Sequence, residues 1–93
     1  MTDTLWAPAE HVAWRKVREE TVLLDVETSE YFSLNPTASR VWELLTERRP
    51  AEEIARALSA EYEVPEPQAL KDVQALAGSL RKNGLLKAGK ERP

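Results

Sequence analysis

The chain divides into a part with a hydrophobic period of two and a part with a period near 3.6. Up to about residue 34, apolar and polar side chains tend to alternate, as they do in half-buried strands. After Asn35 and Pro36 the apolar residues recur every three to four positions, as in amphipathic helices. Asn35 is a good N-cap and Pro36 a good first helical residue, because Asn accepts from a free backbone N–H and Pro has none to leave unpaired. The segment Glu30–Ala38 therefore predicts a strand that leads into a helix.

Three strands are predicted before the end of this segment. The turns between them are short and polar, which indicates consecutive hairpins in an antiparallel sheet with the second strand in the centre and the third at an edge. The predicted strands are His11–Val17, Val22–Val26 and Tyr31–Leu34. The side chains that we expect to face the core from the second and third strands are Val22, Leu24, Val26, Phe32 and Leu34.

Three helices are predicted after the strands. The third has an apolar stripe roughly 120° wide, broad enough for two contacts, with Leu70 at one margin and Leu76 at the other. The sequence therefore predicts an α+β, winged-helix-like fold with an N-terminal three-stranded antiparallel sheet followed by three helices. The predicted helices are Pro36–Glu47, Pro50–Tyr62, and a third from Pro67 to the stop signal at Asn83-Gly84.

The length of 93 residues indicates one small domain. We expect a flexible N-terminal arm at residues 1–10, in which Met1–Thr4 are frayed, a domain at residues 11–86 and a solvated tail at residues 87–93. No apolar run approaches the roughly 20 residues that span a bilayer, and the N-terminus lacks a signal-peptide pattern. The absence of cysteine fits a reducing compartment. We therefore expect a cytoplasmic protein with no membrane partner.

Few side chains offer catalytic chemistry. His11 is the only histidine, so a two-histidine metal site or a serine–histidine pair has no second partner. Carboxylates such as Asp25 and Glu27 lie where turns commonly have them, and the three glycines match no phosphate-binding loop. We therefore expect no enzyme activity, no cofactor and no bound metal.

The winged-helix-like layout makes a DNA-binding regulator the alternative function. The net charge of −3 provides no general attraction to phosphates, and the basic residues of the helical half are interleaved with acidic ones. Glu66 lies at the start of the third predicted helix and Asp72 lies within it, and these acidic residues make it a poor approach to a phosphate backbone. We expect no nucleic-acid partner.

The third predicted strand has an edge that is open to pairing. Between Tyr31 and Leu34 it has no charge, proline or bulge of the kind that usually blocks such an edge. A peptide could add to it as a fourth strand, beside the third helix. Two other outcomes stay open: the N-terminal arm or the third helix covers the edge, or a folded partner contacts the face of Tyr31, Leu23 and Ser33.

The sequence from Val22 to Leu45 resembles the PqqD-like family, the recognition elements of ribosomally made, modified peptides. The resemblance covers about residues 11–86 and is greatest to small stand-alone members found with lasso-peptide precursors. Many relatives have a glycine where this chain has Ser29, and often another before the second strand, where it has Arg18-Glu19-Glu20. The most specific matches are Leu23-Leu24-Asp25, Tyr31-Phe32-x-Leu34-Asn35 and Ala38-x-x-Val41-Trp42.

The resemblance implies a non-catalytic protein that binds a precursor's leader antiparallel to the third strand. It also implies delivery of the precursor to a leader peptidase, which is a cysteine protease, and to a macrolactam-forming cyclase. Aromatic, proline and leucine residues of the leader are the implied anchors. We favour the Leu76 margin over the Leu70 margin, because polar residues flank it. By position, the implied peptide-binding residues are Glu30, Tyr31, Phe32, Ser33, Leu34, Asp72, Val73, Leu76, Leu80 and Asn83.

Overall fold

The computed structural model describes residues 5–89. The predicted fraying of Met1–Thr4 and the last four residues of the predicted tail lie outside this range. The order of elements confirms the predicted α+β fold, with slightly shifted bounds and one additional strand at each end. The strands are Leu5–Pro8 (β1), Val12–Val17 (β2), Glu20–Asp25 (β3), Glu30–Leu34 (β4) and Leu86–Gly89 (β5), and the helices are Pro36–Thr46 (α1), Ala51–Tyr62 (α2) and Glu66–Lys82 (α3).

The main sheet has the predicted topology. Its strands are antiparallel in the order β2-β3-β4, so β3 is central and β4 lies at an edge. The β2–β3 hairpin has Arg18 at φ 61°, and the β3–β4 turn has Ser29 at φ 65°. These left-handed conformations favour glycine, which accounts for the glycines that relatives often have in the same two turns.

The face of β3 that points into the core is opposite to the predicted one. Leu23 is fully buried, together with Thr21 and Asp25 on the same face, whereas Val26 is 56% exposed. The prediction that Val22, Leu24 and Val26 face the core is therefore wrong. It also follows that Leu23 does not share an exposed face with Tyr31 and Ser33. On β4 the prediction is right: Leu34 is buried, and Phe32 packs partly buried against the core.

Hydrogen bonds explain why two polar side chains of β3 can be buried. The hydroxyl groups of Thr21 and Ser39 form a hydrogen bond, which links the sheet to α1. Asp25 Oδ1 accepts from the backbone N–H groups of Glu27, at 2.9 Å, and Thr28, at 3.2 Å. Buried polar groups with partners carry little penalty, so the polar residues of β3 take the inner face.

The two ends of the described chain pair with each other. β1 and β5 form an antiparallel two-stranded sheet in which Leu5 lies opposite Gly89 and Pro8 opposite Leu86. The backbone N–H of Ala9 donates to the carbonyl of Leu85 at 3.0 Å and extends this pairing. Residues 87–89, expected in the tail, are therefore part of a strand. The domain boundaries at residues 10 and 86 stay a prediction.

The hydrophobic core lies between the main sheet and the three helices. Trp42 of α1 is fully buried and makes an edge-to-face contact with Trp14 of β2, with ring centroids 5.9 Å apart. Leu45 of α1, Ile54 of α2 and Leu85 before β5 are also fully buried, so every layer contributes to one core. No helix within residues 5–89 is both long enough and apolar enough to cross a membrane.

The buried position of Leu23 can be tested against the exposed position of Val26. We expect Leu23→Ala to lower the free energy of unfolding by about 2–5 kcal/mol, because it leaves a cavity in the core. Val26→Ala should change it by no more than about 0.5 kcal/mol, because the side chain is largely solvated. Urea denaturation of both variants measures this. Equal losses would contradict the observed face of β3.

A chain of ion pairs connects the sheet to α1 and α1 to α2. Lys16 of β2 pairs with Glu43, which also accepts from Arg40, and Arg40 in turn pairs with Glu61 of α2 at 2.9 Å. The Lys16 ammonium, and then the Arg40 guanidinium, hold the pKa of Glu43 below its ordinary value of 4.5. The Arg40 guanidinium likewise lowers the pKa of Glu61. These carboxylates are therefore stabilised in their ionised form.

The lowered pKa of Glu43 predicts a pH-dependent contribution to stability. The contribution is fully present above the unfolded pKa, near 4.5, and is lost as the pH falls through the lower folded pKa. At neutral pH, Glu43→Gln should lower the free energy of unfolding by about 1 kcal/mol, since the pair is partly solvated. The difference from wild type should shrink as the pH falls below about 4.5.

Urea titrations from neutral to acid pH test this dependence. Glu19→Gln is the matched control, because Glu19 is exposed in the β2–β3 turn and is not part of this chain of ion pairs. A difference for Glu43→Gln that stays constant down to acid pH would contradict the charge-based explanation.

Candidate functional site

The outer edge of β4 is open within the described chain. β4 pairs with β3 on one side, and no strand in residues 5–89 pairs with its other side. β1 pairs with β5 in a separate two-stranded sheet, and α3 packs chiefly on α2 and β5. Coverage of the edge by the N-terminal arm or by α3 is therefore not observed within residues 5–89. The edge is available for pairing with another segment.

The edge ends sharply at α1. Asn35 is the N-cap of this helix, and its Oδ1 accepts from the backbone N–H of Ala38 at 2.9 Å, as predicted. Pro36 follows at the first helical position. The exposed edge is therefore limited to the five residues of β4, or about 17 Å of strand.

A pocket of about 340 Å³ adjoins this end of β4 and lies between the three helices. We call it the Asn35 pocket. Apolar side chains form most of its wall, while Asn35, Thr37 and Asp72 supply polar groups. Pockets of this composition usually take an apolar or aromatic side chain and orient it through a few polar contacts. Its lining residues are Asn35, Thr37, Ala38, Val41, Leu58, Tyr62, Val64, Ala69, Asp72 and Leu76.

The two margins of α3 lie in different surroundings. Leu76 lines the Asn35 pocket, whereas Leu70 lies in a separate cleft beside Ala55 and Arg56 of α2. Both leucines are half-buried, while Val73 between them is fully buried. The Leu76 margin is thus the one that shares a pocket with the end of β4.

The predicted peptide-binding residues fall into two groups. Leu34, Val73 and Leu80 are buried in the core, so they can support a site but offer a ligand almost no surface. The other seven have accessible side chains, and that of Tyr31 is 71% exposed. The structure brings Asp72 and Leu76 together in one pocket. The accessible residues are Glu30, Tyr31, Phe32, Ser33, Asp72, Leu76 and Asn83.

Several residues of the Asn35 pocket were not among those predicted. Tyr62 and Val64 come from the end of α2 and the segment after it, and they reach the pocket only through the packing of α2 on α3. Asn35 could have been included, because a helix cap directly after an edge strand must lie at the end of that edge. No local pattern identifies Tyr62 or Val64 as pocket residues.

Two acidic residues lie among the predicted peptide-binding residues, and two basic residues of the helical half are held in ion pairs. Asp72 Oδ1 accepts from Gln68 Nε2 at 2.9 Å, and Glu30 is exposed at the start of β4. Arg40 and Arg49, two of the basic residues considered for a phosphate-binding face, are each bound by two carboxylates. This arrangement gives no support to the DNA-binding alternative.

Comparisons with known proteins give a family match and similar solved structures. The family model for PqqD, coenzyme PQQ synthesis protein D, matches residues 20–86. The solved structure of TbiB1 in complex with the TbiA(beta) leader peptide is 33% identical, with a TM-score of 0.84, over 91% of this chain and 99% of that chain. A lasso peptide synthetase B1 complexed with the leader peptide is 30% identical, with a TM-score of 0.83, over 88% of this chain and 96% of that one. No curated protein gives a significant match.

Proposed function

The chain belongs to the PqqD family, and from this premise we propose that it binds the leader segment of a ribosomally made precursor peptide. Lasso-peptide precursors are the proposed class, because the two similar structures are leader complexes of B1-type proteins. The observation that carries the proposal is the open edge of β4, which ends beside an apolar pocket. The leader adds to that edge as a fourth strand.

An antiparallel arrangement fixes which part of the leader reaches the pocket. β4 runs from Glu30 to Leu34, so the guest strand runs from the Leu34 end toward Glu30. The residues that precede the paired segment of the leader then lie at the Asn35 pocket. Main-chain hydrogen bonds along β4 supply affinity with little dependence on sequence, and the pocket selects the side chain that enters it.

The family resemblance implies aromatic, proline and leucine residues of the leader as anchors. Of these, an aromatic side chain fits the Asn35 pocket best. Ala38, Val41 and Leu58 offer an apolar lining for a ring, and Asp72 lies where the polar edge of a tyrosine or tryptophan can donate a hydrogen bond. An interface with so short a strand is small, so it depends on one or two well-buried anchors.

The proposed role is delivery without catalysis. The protein passes the bound precursor to a leader peptidase of the cysteine-protease type and to the macrolactam-forming cyclase. It acts in the cytoplasm, where a ribosomally made precursor first becomes available. Reconstitution tests this role: adding the protein should speed leader cleavage by the peptidase, and it should cleave nothing when the peptidase is left out.

The choice of the Leu76 margin predicts different results for two matched variants. Leu76→Asp should weaken leader binding at least about tenfold, or about 1.4 kcal/mol, because it places a charge at the apolar pocket. Leu70→Asp changes the same residue type at the same level of burial on the same helix, and should leave affinity nearly unchanged. Both variants should keep the helical circular dichroism signal of the wild type.

Fluorescence anisotropy with labelled leader peptides measures these affinities. The probes are the TbiA(beta) leader and the leader of any lasso-peptide precursor found encoded beside this gene. If Leu70→Asp weakened leader binding and Leu76→Asp did not, the placement of the leader beside the Leu76 margin would be contradicted. If neither leader bound to the wild-type protein, leader binding itself would be contradicted.

Filling the pocket tests the aromatic anchor. Ala38→Phe places a ring in the pocket and should weaken binding of an intact leader about tenfold or more. Replacing the anchoring aromatic residue of the leader by alanine should have little further effect on this variant, because both changes remove the same contact. Ala60→Phe, on the exposed side of α2, is the matched control. If the losses of affinity from the two changes were additive in the double-mutant cycle, the aromatic residue of the leader would not bind in the Asn35 pocket.

A further inference from the structure

Three potential metal ligands converge at the opposite end of the β3–β4 hairpin from the Asn35 pocket. They are His11, Asp25 and Glu27, whose ligand atoms all lie within 4.8 Å of one another. His11 Nε2 is 3.7 Å from Asp25 Oδ2. None of the three residues belongs to the proposed leader site, so the cluster requires a separate explanation.

Asp25 is the fixed centre of the cluster. Its side chain is 8% exposed, and its Oδ1 is held by the backbone N–H groups of Glu27 and Thr28. Its other oxygen, Oδ2, faces His11 and receives no hydrogen bond from any residue between 5 and 89. The separation of 3.7 Å is too long for a hydrogen bond. It is close to the spacing of two ligands that each lie about 2.0–2.2 Å from one tetrahedral metal ion.

The position of His11 is also set by the backbone. Its carbonyl accepts from the N–H of Val26 at 2.9 Å, which holds the imidazole beside the β3–β4 turn. The ring lies against Gly84, directly after the C-cap of α3, where a methyl group on Gly84 would be 4.0 Å from Nε2. The carbonyl end of a helix carries partial negative charge and favours a nearby cation. The neighbouring Glu10 is directed away, to Lys87 at 3.3 Å.

We propose that His11, Asp25 and Glu27 form a binding site for a divalent transition-metal ion of the zinc type. The ligands are Nε2 of His11, Oδ2 of Asp25 and one carboxylate oxygen of Glu27, which is exposed and free to adjust. Water completes the coordination. An imidazole nitrogen with two carboxylates suits zinc and similar ions, whereas magnesium prefers oxygen ligands alone.

Binding at this site has a structural consequence. The ion connects the segment between β1 and β2 to the turn that precedes β4. Because it binds the folded chain, it stabilises the fold by mass action and fixes the start of β4. The proposal does not depend on leader binding, since its ligands and its test require no leader.

The single histidine of the chain makes a direct test possible. Zinc chloride is titrated into the full chain without an affinity tag, and the imidazole resonances are followed by NMR. We expect them to shift and saturate at one equivalent, and the unfolding midpoint to rise by several degrees in excess zinc. Magnesium chloride should produce neither change.

Two exposed carboxylates provide the variant and its control. Glu27→Gln should lower zinc affinity by about tenfold or more, as should His11→Gln, because each removes a ligand. Glu10→Gln removes an equally negative side chain next to His11 and should bind zinc like the wild type. If zinc left the His11 resonances unchanged, or if Glu27→Gln and Glu10→Gln behaved alike, the site would be disproved. His11 and Asp25 would then be neighbours that hold no ion.

Discussion

β4 is hydrogen-bonded on one side only, to β3, within the part of the chain that the structure describes. Backbone N–H and C=O groups on the free side must be satisfied by water or by another segment. The chain could have supplied such a segment from its own N-terminus, but β1 is paired with β5 instead. This pairing joins the two ends of the described chain in a separate two-stranded sheet. The outer edge of β4 therefore has no strand from residues 5–89 beside it.

The parts of this arrangement that are visible in the sequence are the local ones. The junction at Asn35 and Pro36 was predictable because a cap and a first-turn proline act within a few residues of each other. The order of strands followed from the short turns. The inner face of β3 was not predictable, since Thr21 is buried through a hydrogen bond to Ser39, 18 residues later, which no alternation of apolar residues reveals. The β1–β5 pair and the contribution of Tyr62 to the Asn35 pocket depend on still longer contacts.

Asp25 is a buried polar residue that holds the β3–β4 turn through hydrogen bonds to its side chain and to its backbone carbonyl. Its Oδ1 organises the turn into β4, and the backbone N–H of Ser29 donates to the carbonyl of the same residue at 2.7 Å. These bonds hold Ser29 at a positive φ, which a residue other than glycine adopts at some energetic cost. The expectation of no metal was drawn from a lone histidine. The alternation of residues along the chain does not show that the fold brings Asp25 and Glu27 to that histidine, because His11 precedes β2 whereas Asp25 and Glu27 lie at the β3–β4 turn.

In the proposed mode of binding, the short length of β4 limits how a peptide can be selected. Five residues of edge provide main-chain hydrogen bonds that nearly any extended peptide can make, so pairing alone discriminates poorly. Discrimination must come from side chains that reach a pocket, and the Asn35 pocket lies where the edge stops. Asn35 both caps α1 and lines that pocket, so its side chain cannot be exchanged freely to suit a different peptide. Specificity is therefore most easily changed at Leu76, Tyr62 or Thr37, which line the same pocket without capping a helix.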